Sequence, residues 1–311
     1  MEARHGIANE RSIAKFIADN RLARLISYSI GEFLERNVNE ISSEVDGLED
    51  MILLTNDDGI HSAGLRKAYE TLAEIDEVVV VAPITQMSAV GRSISIMHPV
   101  RIYEMKINGM KAFAIDGTPT DAVILGIYEI IKDIPDLTVC GINLGENLST
   151  EAVTTSGTVC SALEAATQGS KAIAISMEMH DREKFEPTCD YDFENAKKVL
   201  RWVARKVIEE GLPKNVDVLN VNVPKRFNGK IKITRLARKM YETRVEKRVD
   251  PRGREYYWIH GVEVESAEEG TDIYALRKGF ASITPISLNM SAVALEGWED
   301  EWESQRFEIS T

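Results

Sequence analysis

The sequence predicts a Rossmann-like three-layer α/β fold, in which a mostly parallel sheet is covered by helices on both faces. An N-terminal helical appendage and a C-terminal β-hairpin extension complete the expectation. Three observations carry it. Short runs that are apolar throughout, such as MILLT (51–55), EVVVVAP (77–83) and KAIAISM (171–177), lack the alternation of a half-exposed strand, so they belong to a sheet buried on both faces. Helical periodicity fills the intervals between them. Beyond Pro224 the pattern changes to turn signals and aromatic strand residues.

The elements follow in order. In residues 1–50, apolar Ile13, Phe16, Ile17, Leu22, Leu25, Ile26, Phe33 and Leu34 recur at helical spacing, and an acidic stretch from Asn39 to Asp50 reads as a linker. Ten acids against six bases make this segment unlike an acid-poor transit peptide. It reads as a helical appendage, or as sequence preceding a true start at Met51. A main domain is expected over 51–290, with its hairpin-rich part from about 225, and a tail over 291–311. Within the domain, a helix over about 63–75 follows the first strand and precedes the strand 77–83. Further strands are expected at 136–141, 171–177, 216–223, 229–236 and 280–285. Helices are expected over 158–169 and 193–210, with a turn and short helix over 270–279. An aromatic strand follows the turn at 252–254, and this hairpin region suits either an oligomerisation arm or completion of the core.

Composition narrows the function. The chain has 311 residues, 44% of them hydrophobic and 28% charged, with a net charge of −13. That acidity excludes the basic footprint of a nucleic-acid-polymer or anionic-membrane binder. Neither a signal-peptide core nor an apolar run of membrane-spanning length occurs. Cys140, Cys160 and Cys189 are odd in number and lack metal-ligand spacing, so they read as reduced thiols in a cytoplasmic protein.

The chemistry is concentrated in loops. The first strand ends in Asn56-Asp57-Asp58-Gly59, where open α/β sheets bind ligands. Taken alone, the acids read as a helix cap and a solvated neighbour. Three further loops reverse that reading. Ser88 lies in the loop after the second strand, Asn143 lies at the end of the strand beginning at 136, and Ser156-Gly157-Thr158 opens a helix whose free N–H groups favour an anion. Two carboxylates, a hydroxyl, an amide and an anion cradle on one edge of a parallel sheet make a metal-assisted phosphate site. The absence of Gly-x-Gly-x-x-Gly after the first strand disfavours a dinucleotide-dependent dehydrogenase.

These segments resemble the survival protein SurE family of metal-dependent nucleoside monophosphate phosphatases (5′- and 3′-nucleotidases). The resemblance rests on ILLTNDDGI (52–60), VVAP with Ser88, DGTPTD (116–121), GINLGENL (141–148), SGTV (156–159), LNVNVP (219–224), DPRGREYYW (250–258) and GTDIYALRKGFASITP (270–285). It implies one divalent cation per subunit, magnesium or manganese, held by Asp57, Asp58, Ser88 and Asn143. It also implies substrate contacts from Asn56, Asn143, Ser156, Gly157 and Thr158, with Asp57 and Asp58 as the catalytic acids. The implied reaction is hydrolysis of a nucleoside monophosphate by a metal-activated water. Two alternatives are a broader phosphomonoesterase or exopolyphosphatase, and a noncatalytic nucleotide-binding module. A homodimer or homotetramer is implied as well. The chain departs from the family pattern at Ile84, Ala89 and Thr155, where an acid, a glycine and an aromatic are common; these changes bear on base preference.

Other conspicuous residues carry plainer readings. His61 is expected as a turn residue, Arg92 as a solvated loop cation and Asp121 as a helix-dipole partner. Tyr256, Tyr257 and Trp258 are expected to pack in the hairpin or against a subunit rather than on a base.

Overall fold

A computed structural model describes residues 50–107, 109–179 and 191–291. The N-terminal appendage, the C-terminal tail and Cys189 lie outside the described residues. The described chain runs β1 (Met51–Thr55), α1 (Ala63–Leu72), β2 (Glu77–Pro83), β3 (Ile102–Ile107), β4 (Met110–Ile115) and α2 (Pro119–Leu125), which continues into a π-helical turn (Gly126–Ile131). It continues through β5 (Leu137–Leu144), α3 (Ser149–Thr155), α4 (Gly157–Thr167), β6 (Lys171–Met177), α5 (Glu194–Glu210) and β7 (Val218–Val223). It ends with β8 (Ile231–Ile233), β9 (Tyr241–Val249), β10 (Glu255–Glu263), α6 (Asp272–Arg277) and β11 (Ala281–Ile286).

Nine strands form one sheet among the described residues, in the order β3-β4-β2-β1-β5-β6-β7-β11-β8. The six strands from β4 to β7 are mutually parallel, whereas β3 and β11 run against their neighbours β4 and β7. Successive residues of β1 alternate between two cores. Ile52 and Leu54 join a cluster with α1 and α5, while Leu53 joins one with α2 and α4. All three are fully buried. That is why the strand reads as an uninterrupted apolar run. On α5, Ala196, Val199, Leu200, Val203, Ala204 and Val207 make the stripe that lies on the sheet.

The expectation of a parallel three-layer sheet holds. The antiparallel pair β3 and β4 at the edge was not anticipated, nor was α3, and β8 is shorter than the strand expected over 229–236. The sequence of β3 explains its absence from the reading, since Glu104 and Lys106 leave it half solvated at a sheet edge. Cys140 and Cys160 are free buried thiols, as expected, and burial pushes them up to about 12 and about 11.

One seam of the sheet is polar. Ser176, Asn220, Asn222, Thr234, Ser282 and Thr284 are all buried. The Thr234 hydroxyl shares hydrogen bonds with Ser282 Oγ at 2.8 Å and Thr284 Oγ1 at 2.7 Å. β11 sets Ser282 opposite Asn222 and Thr284 opposite Asn220.

Candidate active site

β1 lies between β2 and β5, and the chain leaves it for β2 on one side and later returns to β5 on the other. Such a reversal opens a crevice at the carboxyl ends of the strands. Asn56, Asp57 and Asp58 leave β1 into that crevice. The Asn56 amide donates to Gly59 O at 3.2 Å and Ser62 Oγ at 2.7 Å, closing the turn that leads to α1. Ser62 caps α1 by accepting from Leu65 N. The helix capping foreseen as the plain role of an aspartate therefore falls to Ser62, and both acids are left for the crevice.

Asp57 is buried and its Oδ1 accepts from the Thr158 hydroxyl at 2.5 Å. Asp58 is half-buried; its Oδ2 accepts from Leu144 N at 3.2 Å and its Oδ1 from Gln86 Nε2 at 3.4 Å. Burial raises the Asp57 carboxyl above its ordinary range, against the bonds from Thr158. Burial, reinforced by the charge of Asp57, pushes Asp58 up to about 7, against the bonds from Leu144 and Gln86. Two acids that resist ionising together form a site that calls for positive charge.

The other loops arrive by backbone contact. Met87 N donates to Asp57 O at 2.7 Å, which puts the adjacent Ser88 beside the acid pair, with its side chain exposed. The following Ala89 has φ +57°, the conformation that glycine adopts freely and that the family pattern meets with glycine. Leu144 N reaches Asp58, so Asn143 borders the same space; its Nδ2 donates to Gly145 O at 2.6 Å, leaving Oδ1 outside that bond. The donor set is two carboxylates, an amide oxygen and a hydroxyl, all hard oxygen ligands, and it fits magnesium or manganese. The Asn56 Oδ1, buried without a hydrogen-bond partner in the same turn, is a further oxygen in keeping with a cation nearby. No cluster of three or more His, Cys, Asp or Glu that could hold a metal occurs among the described residues, so the oxygen set is the candidate.

The start of α4 presses on this pair. A Cβ placed on Gly157 would lie 2.7 Å from Asp57 Cβ and 2.9 Å from its Oδ2, so glycine alone fits there. Ser156 is the N-cap, its Oγ accepting from Val159 N at 3.2 Å, which leaves its own proton to donate. Thr158 is fully buried and its hydroxyl is spent on Asp57. The structure thus brings Asp57, Gly157 and Thr158 into contact, with Thr158 turned toward an acid, and joins the chain neighbours of Ser88 and Asn143 to Asp57 and Asp58.

Among the neighbours, Arg92 differs from its plain reading, whereas His61 and Asp121 keep theirs. Arg92 is tethered: its Nε donates to Glu164 Oε2 at 2.8 Å and one terminal nitrogen donates to Thr167 Oγ1 at 2.7 Å. With Gly91 N donating to Thr155 O at 2.9 Å, this pins the Ser88 loop on α4. Asp121 forms a capping box with Thr118 and also accepts from Ser95 N. His61 is exposed on the turn. Tyr256, Tyr257 and Trp258 stand exposed on the separate ribbon of β9 and β10. The sequence reading missed Gln86, Glu164 and the amide trio Asn147, Asn220 and Asn222. Asn147 N donates to Asn222 Oδ1 at 2.7 Å, and Asn220 Nδ2 donates to Asn147 O at 2.8 Å. Two asparagines on one face of a buried strand were the available signal.

The family model described as Survival protein SurE matches residues 52–243. The chain belongs to the SurE family. A 5′-nucleotidase SurE of Archaeoglobus fulgidus is 64% identical over 258 residues, covering 81% of this chain and 99% of that protein. A 5′-nucleotidase SurE of Methanoregula boonei is 54% identical over 244 residues, covering 78% and 94%. The crystal structure of the SurE protein of Aquifex aeolicus superposes with a TM-score of 0.66 at 37% identity, covering 78% of this chain and 94% of that one. No helix among the described residues is long and apolar enough to cross a membrane.

Proposed function

We propose that this SurE protein hydrolyses nucleoside monophosphates to nucleoside and phosphate, acting as a 5′-nucleotidase with 3′ esters as further candidates. The observation that carries this reading is the contact of Asp57 with Gly157, which sets the acid pair against the N-terminus of a helix. The helix end favours anions, but a phosphate drawn to it would be repelled by the two carboxylates, and a bound cation would offset that repulsion.

Asp57, Asp58, Ser88 and Asn143 are the residues that would hold one magnesium or manganese ion, with Asn56 supporting the turn from below. Such an ion supplies positive charge to the phosphoryl oxygens and lowers the pKa of the attacking water. The Gly157 N–H and the Ser156 hydroxyl orient the phosphate and meet the charge that shifts during transfer. Thr158 acts through Asp57, fixing a carboxylate that would help hold the ion. Leu144 N–H and Gln86 do the same for Asp58.

The ribbon of β9 and β10 supports the homodimer or homotetramer reading. Among the described residues its two strands pair only with one another, and Val245, Tyr257, Trp258 and Ile259 are all more than half exposed. An isolated two-stranded ribbon is marginal in water, so a second copy of the chain is its fitting cover.

The test is phosphate release from AMP, GMP, their 3′ isomers and polyphosphate, with magnesium, manganese or EDTA, beside Asp57→Asn. Metal-dependent release lost in the variant is expected. Binding of nucleotide without release under any of these conditions would overturn the reading.

A further inference from the structure

Ser149 begins α3 with φ +69°, a left-handed conformation that strains a residue bearing a Cβ. Its hydroxyl does not hold the turn, because Oγ is buried without a hydrogen-bond partner. Its N–H does: it donates to Asp272 Oδ2 at 2.7 Å. Asp272 is fully buried, and its other oxygen accepts from Ala237 N and Ile273 N, each at 2.9 Å. The Asp272 N–H donates to Arg235 O at 3.0 Å, and Thr150 N donates to Ala237 O at 2.8 Å. One carboxylate therefore ties the start of α3 to the segment leading into β9 and to the first turn of α6.

The place of α3 gives this tie its meaning. The helix spans Ser149–Thr155 and runs directly into the Ser156-Gly157-Thr158 turn. Asn143, by contrast, is held in β5 opposite Ser176 of β6, so the direction of α3 bears on Ser156-Gly157. We propose that Asp272 is a positioning residue of the phosphatase site: by holding the Ser149 N–H it fixes the left-handed turn that aims α3, and thereby the spacing of Ser156-Gly157 from the acid pair. The inference rests on the nucleotidase reading for its activity readout alone.

The test uses Asp272→Asn, Ser149→Gly and the double variant of the full chain. In Asp272→Asn the oxygen that serves two donors stays an oxygen, so the new amide nitrogen meets the Ser149 N–H, donor against donor. The expected result is a loss in kcat/KM of about tenfold or more, weaker manganese binding by titration calorimetry, and faster hydrogen exchange over 149–158 with β1 unchanged. Glycine takes φ +69° without strain, so Ser149→Gly in the Asp272→Asn background should recover at least half of the loss on a logarithmic scale. An aspartate that only stabilises α6 or the ribbon base gains nothing from a change at position 149. Absence of that recovery, or unchanged exchange over 149–158 in Asp272→Asn, would overturn the proposal. If Asp272→Asn does not fold, folding of the double variant supports it and failure of both overturns it. Were the wild-type chain inactive on every nucleotide, exchange and manganese affinity would still decide the question.

Discussion

Gly157→Ala probes the closest approach in the site. A Cβ there would stand 2.7 Å from Asp57 Cβ, roughly 0.7 Å inside ordinary contact, and 2.9 Å from Oδ2. Neither partner yields easily, since Asp57 is bonded to Thr158 and its own backbone carbonyl accepts from Met87 N at 2.7 Å. Two effects oppose each other in stability. Alanine in a helix gains up to about 1 kcal/mol over glycine, whereas overpacking costs about 1–3 kcal/mol. The net loss is about 0–3 kcal/mol, a fall in Tm of no more than about 12 °C. Activity is the more sensitive quantity, because a displacement approaching 1 Å in a positioned group can cost about a hundredfold. The expected outcome is a folded protein with AMP hydrolysis reduced by about two orders of magnitude and weaker manganese binding. The assays are phosphate release and scanning calorimetry, run on wild type and variant at matched metal concentration. Activity within threefold of wild type would refute the claim that the Asp57–Gly157 contact is what assembles the site.

Three further outcomes are expected. The metal-free protein should lose stability as pH rises from about 4 to about 7: Asp58 keeps a proton in the folded state up to about 7 that the unfolded chain releases near 3.8, so the folded state binds more protons throughout that window. The upper limit is about 4 kcal/mol, and the stabilisation by manganese should grow over the same window in a pH series of thermal melts. Arg92→Met leaves the buried Glu164 with Gln168 as its remaining partner and should cost about 2 kcal/mol and release the Ser88 loop, whereas adding Glu164→Gln should recover much of the stability in a double-mutant cycle. Replacing both Trp258 and Ile259 by serine should leave the melting of the main sheet intact and lower the mass measured by light scattering, if a second chain covers the ribbon.

What could be read in advance followed from how local each feature is. β1, β2, β6 and β7 were legible because burial on both faces makes them mostly apolar runs, and the acid pair stood out as the abrupt end of such a run. The partner loops were legible as residues but not as contacts. Nothing in the sequence at Gln86 or Leu144 announces a bond to Asp58, since one is an exposed loop amide and the other gives its backbone. Arg92 looked solvated because Glu164, its partner, lies more than seventy residues later, inside a helix that reads as apolar. Thr158 looked like a phosphate ligand because a helix N-terminus was visible and the side chain of Asp57 was not. The strands β3 and β4 were missed because an edge pair has one open side and a mixed pattern. Asn220 and Asn222 were readable in principle: an amide every second residue in an otherwise apolar strand states that one face meets hydrogen-bonding partners.

Those two asparagines have a topological consequence. β11 enters the sheet from the end of the chain, against the direction of β7, and must choose an alignment among several that would all bury Ala281, Ile283 and Ile286 acceptably. Sliding it by one residue would turn Ser282 and Thr284 toward the α1–α5 core, and sliding it by two would set one hydroxyl opposite Val218 or Pro224 and leave one asparagine without a hydroxyl opposite. The polar seam therefore acts as a key cut into an oily lock. It adds little to the depth of the folded state but removes its near competitors, and it does so at the strand beside which the Asn143–Asn147 loop is moored.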